Sequence, residues 1–237
     1  MADSGATSNS EQPVVITLRD AACVVLMDRS GAEPVFLLGR RRASQVFLPN
    51  MWVFPGGRVD DADHDYARAL QAASAPRSIG PLAFAVAAIR ELYEEAGIAL
   101  GEPALSADRD LPSWGVFSAM GLTPSLGWLK PLARAITPPG RPRRFDTWFF
   151  IADRSHVSDV AVEPDGELLD LGWFTISEMR GLDLPVITRK IVDDVASHLE
   201  GLGTAAAGDH IPFYYQDVDV YRRVLIEIGR ASCRERV

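Results

Sequence analysis

Apolar positions in this chain change their period several times, and each change marks an element. From Val14 to Met27 the text VVITLRDAACVVLM is rich in β-branched residues and predicts a strand. Asp28 to Gly31 has the residues of a hairpin turn, and Val35 to Leu38 reads as the return strand. An aromatic and apolar stretch, Phe47 to Phe54, then runs into Pro55-Gly56-Gly57, where two glycines permit close approach of backbone to a ligand. Asp60 to Asp65 reads as an acidic loop, Tyr66 to Ala73 as a short helix and Ala75 to Gly80 as a break. From Pro81 the period becomes helical. Leu82, Val86, Ile89 and Tyr93 form an apolar stripe, with proline at the first helical position and Gly97 just past the last.

Further on, Trp114 to Trp128 reads as strand and loop, broken at Leu122-Thr123-Pro124. Strands are predicted over Phe145 to Ala152, after Arg141, Arg143 and Arg144, and over Leu168 to Phe174, after the acidic turn Glu163 to Glu167. Helices are predicted over Ser177 to Arg180 and Pro185 to Leu199, where Ile187, Ile191, Val195 and Leu199 repeat at every fourth residue. No internal repeat or long linker interrupts this order, so one α/β domain with a mixed sheet is expected over residues 13–227. Residues 1–12 are polar and small, and read as a disordered leader rather than a secretory signal. Residues 228–237 show no periodicity and resemble the in-frame translation of a DNA-sequencing adapter, so a non-native tail is expected there.

Composition narrows the class. A chain of 237 residues with 47% hydrophobic content can bury a substantial core. No apolar run approaches the roughly 20 residues that a membrane span needs. A formal charge of −8 argues against a broad polyanion-binding surface, so no nucleic-acid partner is expected. Cys23 and Cys233 form neither a disulfide framework nor a metal-ligand spacing, which suits a reducing cytoplasm. His64, His156, His198 and His210 are scattered without ligand spacing.

The strongest chemical signal is Arg90-Glu91-Leu92-Tyr93-Glu94-Glu95-Ala96-Gly97-Ile98. On a helix, Glu91, Glu94 and Glu95 stand at i, i+3 and i+4 and converge on one face. Like charges at that spacing weaken a helix, and negative charge near its C-terminus opposes the macrodipole. A divalent metal, held by hard oxygen ligands, would offset both costs.

Together with Gly57 and an acidic residue six positions later, Asp63, this segment resembles the Nudix box, whose second half REUxEExGU is matched at every defined position. The first half departs from the family pattern: aspartate stands for the usual glutamate, and residues 64–89 separate Asp63 from Arg90 where the family has a much shorter spacer. An insertion there, about residues 64–80, resembles the branch that includes the peroxisomal coenzyme A diphosphatases. The strand start Arg143-Arg144-Phe145-Asp146-Thr147 has the look of the same branch. The resemblance implies a Nudix fold, a mixed β-sheet sandwiched between helices, and magnesium- or manganese-dependent cleavage of a diphosphate joined to a nucleoside and a variable group. Coenzyme A or an acyl derivative is the substrate that the branch implies. The alternatives are a general pyrophosphatase for ADP-ribose, dinucleotides or nucleotide sugars, and a nucleotide sensor without turnover. It further implies that Glu94 and Glu95 bind metal, that Glu91 joins them as ligand or base, that the Gly57 carbonyl adds an oxygen, and that Arg90 orients the glutamates. The expected partner is a small nucleoside diphosphate derivative, with a homodimer as the assembly to test and the cytoplasm as the default location.

Several residues keep two readings. Asp63 is a metal or supporting ligand, or one acid among several in a loop. Arg40 to Arg42 follow a strand where the family often contacts substrate, yet a charged strand edge reads the same way. Arg40 and Arg144 are the substrate-binding candidates. Glu163 and Glu167 include a candidate base, although a solvated turn accounts for both. Trp52 and Phe54 are expected in the core.

Overall fold

The computed structural model describes residues 17–72, 81–104, 115–157, 164–200, 210–217 and 219–228. In chain order its elements are β1 (Leu18–Asp28), β2 (Val35–Arg41), β3 (Trp52–Val53), β4 (Gly56–Arg58), α1 (Asp61–Ala72), α2 (Leu82–Ala96), β5 (Gly101–Pro103) and α3 (Gly115–Ala119). There follow β6 (Leu122–Pro124), β7 (Lys130–Ile136), β8 (Arg144–Asp153), β9 (Leu168–Phe174), α4 (Ile176–Gly181), α5 (Val186–Leu199), β10 (His210–Asp217) and β11 (Val220–Glu227).

Alternating burial makes β1 the spine of the molecule. Ala22, Val24 and Leu26 point to one face and join Trp148, Phe150 and the α1–α2 pair, while Val25 and Met27 point to the other and join Phe149, Ile151 and the α4–α5 pair. The result is an α/β/α sandwich around a mixed sheet ordered β11-β10-β7-β8-β1-β2-β3, with β4 on β1 and β9 on β2. β1 runs parallel to β8, from Leu18 opposite Arg144 to Met27 opposite Asp153. Its other edge is divided. Ala21 to Cys23 pair with β4, whereas Met27 and Asp28 pair with β2. That fork in the sheet brings Gly56 and Gly57 of β4 under α2.

The stripe predicted for α2 is buried at Leu82, Val86, Ile89 and Tyr93, but Ala85, Ala87, Ala88 and Leu92 are buried too, so the helix is enclosed on most sides. Its start is one residue later than expected, because Pro81 is the N-cap rather than the first helical residue. Gly97 closes it at φ 68°, donating its N–H to Tyr93 O.

Other expectations shift more. The acidic stretch Asp60 to Asp65 is not a loop, since α1 begins at Asp61 and Asp63 accepts the Asp60 N–H at 2.9 Å. Leu122-Thr123-Pro124 is not a break but β6, antiparallel to β5. β7, β10 and β11 have no counterpart in the pattern read from sequence. In β7 the alternation is interrupted by Pro131, next to a register shift, and by Arg134, which is buried and held by Asp146 at 2.8 and 2.5 Å. No described helix is long and apolar enough to cross a membrane. The expected leader, the expected tail from residue 229 onward and residues 73–80 of the expected insertion lie outside the described residues.

Candidate functional site

Arg90 is the hub. Its side chain is 17% exposed and its guanidinium donates to Asp63 (3.1 and 2.9 Å), Glu91 (3.0 Å), Glu94 (2.7 Å) and the Arg58 carbonyl (2.8 Å). Asp63 is fully buried in α1, and its two oxygens meet the planar fork in the geometry that favours arginine over lysine. Of the two readings left open for Asp63, the structure selects support: it anchors Arg90, which in turn fixes Glu91 and Glu94.

Glu95 faces the sheet instead. It is 2% exposed and accepts the Gly56 N–H at 2.8 Å. Glu91 lies over Gly57 so closely that a Cβ there would stand 2.4 Å from Oε1 and 2.5 Å from Oε2. Only glycine fits at position 57 with Glu91 in place. These bonds engage one oxygen of Glu91, of Glu94 and of Glu95, and the second oxygen of each accepts no hydrogen bond among the described residues.

Electrostatics follow from this crowding. Burial pushes the Glu91 carboxyl up to about 7, with Arg90 pulling back and Glu94 adding to the rise. Burial likewise pushes Glu95 up to about 8, against the pull of the Gly56 N–H and with the charge of Glu91 adding to it. Arg90 loses some proton affinity to burial, but its hydrogen bonds to Asp63 and the charges of Glu91 and Glu94 more than restore it. One guanidinium therefore serves Asp63, Glu91 and Glu94, while Glu95 has only a neutral donor. The cluster is short of positive charge, and three free carboxylate oxygens border it. That donor set fits a hard divalent cation. Among the described residues no three acidic, histidine or cysteine side chains already converge in ligand geometry, because Glu91 and Glu94 turn to Arg90 and Glu95 to Gly56.

Two connections rim the cluster. Asp165 N–H donates to the Glu94 carbonyl at 2.8 Å, which ties the turn before β9 to α2. Arg42 donates to the Gly166 carbonyl and Gln45 to Glu167 at 3.3 Å, joining that turn to the segment after β2. Glu167 is exposed there, and its charge adds to the rise at Glu95. Glu163 lies outside the described residues.

The arginine candidates separate by strand face. Arg40 points outward to an exposed ion pair with Asp170, so the structure does not bring it to the glutamates. Its neighbour Arg41 lies on the opposite face, donates to Phe47 O (3.0 Å) and Gln45, and stabilises the charged form of Glu95. The sequence alone does not separate Arg40 from Arg41; strand alternation does so once the inward face of β2 is fixed. Arg144 bonds the Thr137 carbonyl at 3.0 Å and ties β7 to β8. Trp52 packs edge-on against Phe174 and Phe54 is 2% exposed, as expected for the core. Cys23, unmarked by any pattern, lies beside Gly56, and its thiol is pushed well above the usual range by burial and by Glu95 and Glu91.

The NUDIX domain family model matches residues 17–195, which include β1, β4, α2 and the rim. The chain belongs to the Nudix family. Nudix hydrolases are generally dependent on a divalent metal, in keeping with the uncompensated carboxylates here. Over 149 residues the chain is 28% identical to putative nudix hydrolase 7 of Caenorhabditis elegans, covering 58% of this chain. It spans 45% of the length of that curated relative. Among solved structures it resembles a NUDIX hydrolase from Alicyclobacillus acidocaldarius, with 27% identity and a TM-score of 0.61 over 78% of this chain and 93% of the other.

Proposed function

We propose that this Nudix chain is a divalent-metal-dependent hydrolase that cleaves the diphosphate linkage of a nucleoside diphosphate joined to a variable group. The observation that carries the reading is the excess of buried carboxylate over cation around Arg90, with one free oxygen on each of Glu91, Glu94 and Glu95. Those glutamates and the Gly57 carbonyl would hold the metal. Bound magnesium or manganese supplies charge neutralisation at the diphosphate and a means of orienting water against it. Arg90 keeps Glu91 and Glu94 in register and is itself held by Asp63. Arg41, at the wall by Glu95, offers a guanidinium suited to a phosphate oxygen.

Within this class, coenzyme A or an acyl derivative is the first substrate to test. That choice rests on the box being split by residues 64–89, part of which form α1, and on the Arg143-to-Thr147 segment. Product analysis over coenzyme A, ADP-ribose, dinucleotides and nucleotide sugars with magnesium distinguishes the substrates. Glu95→Gln keeps an acceptor for the Gly56 N–H, so it should preserve the fold and lower kcat by orders of magnitude. Unchanged turnover in that variant rejects the site; tight binding of one compound with no hydrolysis of any would favour a sensor.

A further inference from the structure

The two ends of the nine-stranded sheet are unequal. β3, at one end, has two residues, whereas β11, at the other, has eight and pairs with β10 without a bulge, from His210 opposite Glu227 to Asp217 opposite Val220. No described strand takes up the outer edge of β11. An edge strand offers unpaired N–H and C=O groups to whatever lies beside it, and proteins guard such edges with prolines, lysines, bulges or covering elements. Between Val220 and Glu227 there is no proline, lysine or bulge. Both β10 and β11 lie beyond residue 195, where the family match ends, so this edge is an addition to the matched domain.

Its side chains suit an apolar neighbour. Of the eight large apolar residues exposed among the described residues, three are on this one strand: Val220 at 51%, Val224 at 41% and Leu225 at 46%. Alternation divides them between faces. Val224 shares with Ile226 the face of the α1–α2 pair, and Leu225 shares with Tyr221 and Arg223 the face of α5. The arginines are set back: Arg223 is drawn onto α5 by Asp194 and Tyr214, and Arg222 lies toward the hairpin turn with Asp217 at 3.8 Å. Arg223 to Glu227 therefore form an apolar centre between a cation and an anion.

We propose that β11 is the contact of a two-fold dimer, in which a second copy of this chain lays its own β11 antiparallel to the first and continues the sheet. A two-fold axis perpendicular to the sheet sets opposite residues on the same face. Centred on Leu225, it places Leu225 against Leu225, Val224 against Ile226 and Arg223 against Glu227 of the second copy. The last pair is favourable in sign without drawing Arg223 away from Asp194. Moving the centre to Val224 or Ile226 sets Leu225 against Arg223 or Glu227, so the strand matches itself in one register. That self-match selects a second copy over a strand of unrelated sequence. The contact needs neither metal nor turnover, so it stands or falls independently of the hydrolase reading.

Sedimentation equilibrium of the full-length protein in EDTA, from about 1 to about 100 μM, tests the contact, and dimer is expected in the upper part of that range. Leu225→Lys sets like charges against each other at the axis and should weaken association about ten-fold or more. Val186→Lys, the same kind of change at an exposed residue starting α5, should leave it unaltered. An equal mixture of Leu225→Lys and Leu225→Glu should restore the dimer, because lysine then faces glutamate. A monomeric wild type, a Leu225→Lys variant that still dimerises, a mixture that stays monomeric, or equal weakening by Val186→Lys overturns the proposal. If a Leu225 variant fails to fold, amide exchange of the wild type decides: β11 should exchange slowly when concentrated and faster on dilution, and exchange independent of concentration overturns the contact.

Discussion

Gly57→Ala is the sharpest probe of the cluster, because it adds one carbon at a known point. The new Cβ would stand 2.4 Å from Glu91 Oε1, where ordinary contact begins at 3.4 Å, so the carboxylate must retreat by about 1 Å. Gly57 is not among the glycines with positive φ, so alanine imposes no backbone strain. Glu91 is the end of a flexible side chain and can give way, and stability should change by about 1 kcal/mol or less. Catalysis should not be so tolerant. A displacement of about 1 Å in a catalytic group costs on the order of 100-fold, or roughly 2.7 kcal/mol in the barrier. The assay is kcat on the best diphosphate of the panel, with melting temperature measured in parallel. Gly56→Ala supplies the contrast: its Cβ would stand 2.3 Å from the Ala22 carbonyl and 2.6 Å from Cys23 Cα, backbone of the central strand that cannot yield. That variant should be destabilised by about 1–3 kcal/mol or more. Wild-type turnover in Gly57→Ala would refute the placement of Glu91 over that glycine.

Asp63→Ala leaves Arg90 without its buried partner and should cost about 3 kcal/mol in urea denaturation, as broken buried pairs do; an unchanged midpoint would show that Asp63 does not anchor the hub. Arg41→Ala should raise KM about ten-fold through loss of a charged contact to phosphate, whereas Arg40→Ala, which loses only an exposed pair with Asp170, should change stability by about 1 kcal/mol or less. Equal kinetic effects of the two would restore Arg40 as a candidate. In EDTA, Glu91 and Glu95 titrate at about 7 and about 8 when folded, against an ordinary 4.5, so the folded protein binds protons more tightly than the unfolded. Their contribution is therefore full below about pH 4.5 and is lost as pH rises through 7 to 8. Denaturation midpoints should fall over that window, and added magnesium or the Glu91→Gln/Glu95→Gln variant should flatten the fall. A slope unaffected by either would place its origin elsewhere.

The periodic segments were legible because their buried positions are nearly all apolar: β1 and β8 carry apolar runs buried on both faces, and α2 and α5 repeat apolar residues at helical spacing. β7 and α1 were hard to read for the opposite reason. Arg134 and Asp63 are charged residues turned inward, each satisfied by a partner distant in sequence, Asp146 and Arg90. A pattern of apolar and polar positions scores such residues as exposed.

The sequence by itself determined the acidic face of α2, its termination at Gly97 and the need for glycine nearby, since these depend on local spacing and conformation. Tertiary structure alone decided that Asp63 serves Arg90, that Glu95 is held by Gly56 and that Arg41 rather than Arg40 borders the cluster. The reason is the divided edge of β1, which brings β4 under α2 and sets the inward face of β2. Asp63 and Arg90 are 27 positions apart and Gly56 and Glu95 are 39, and no local pattern specifies such pairings.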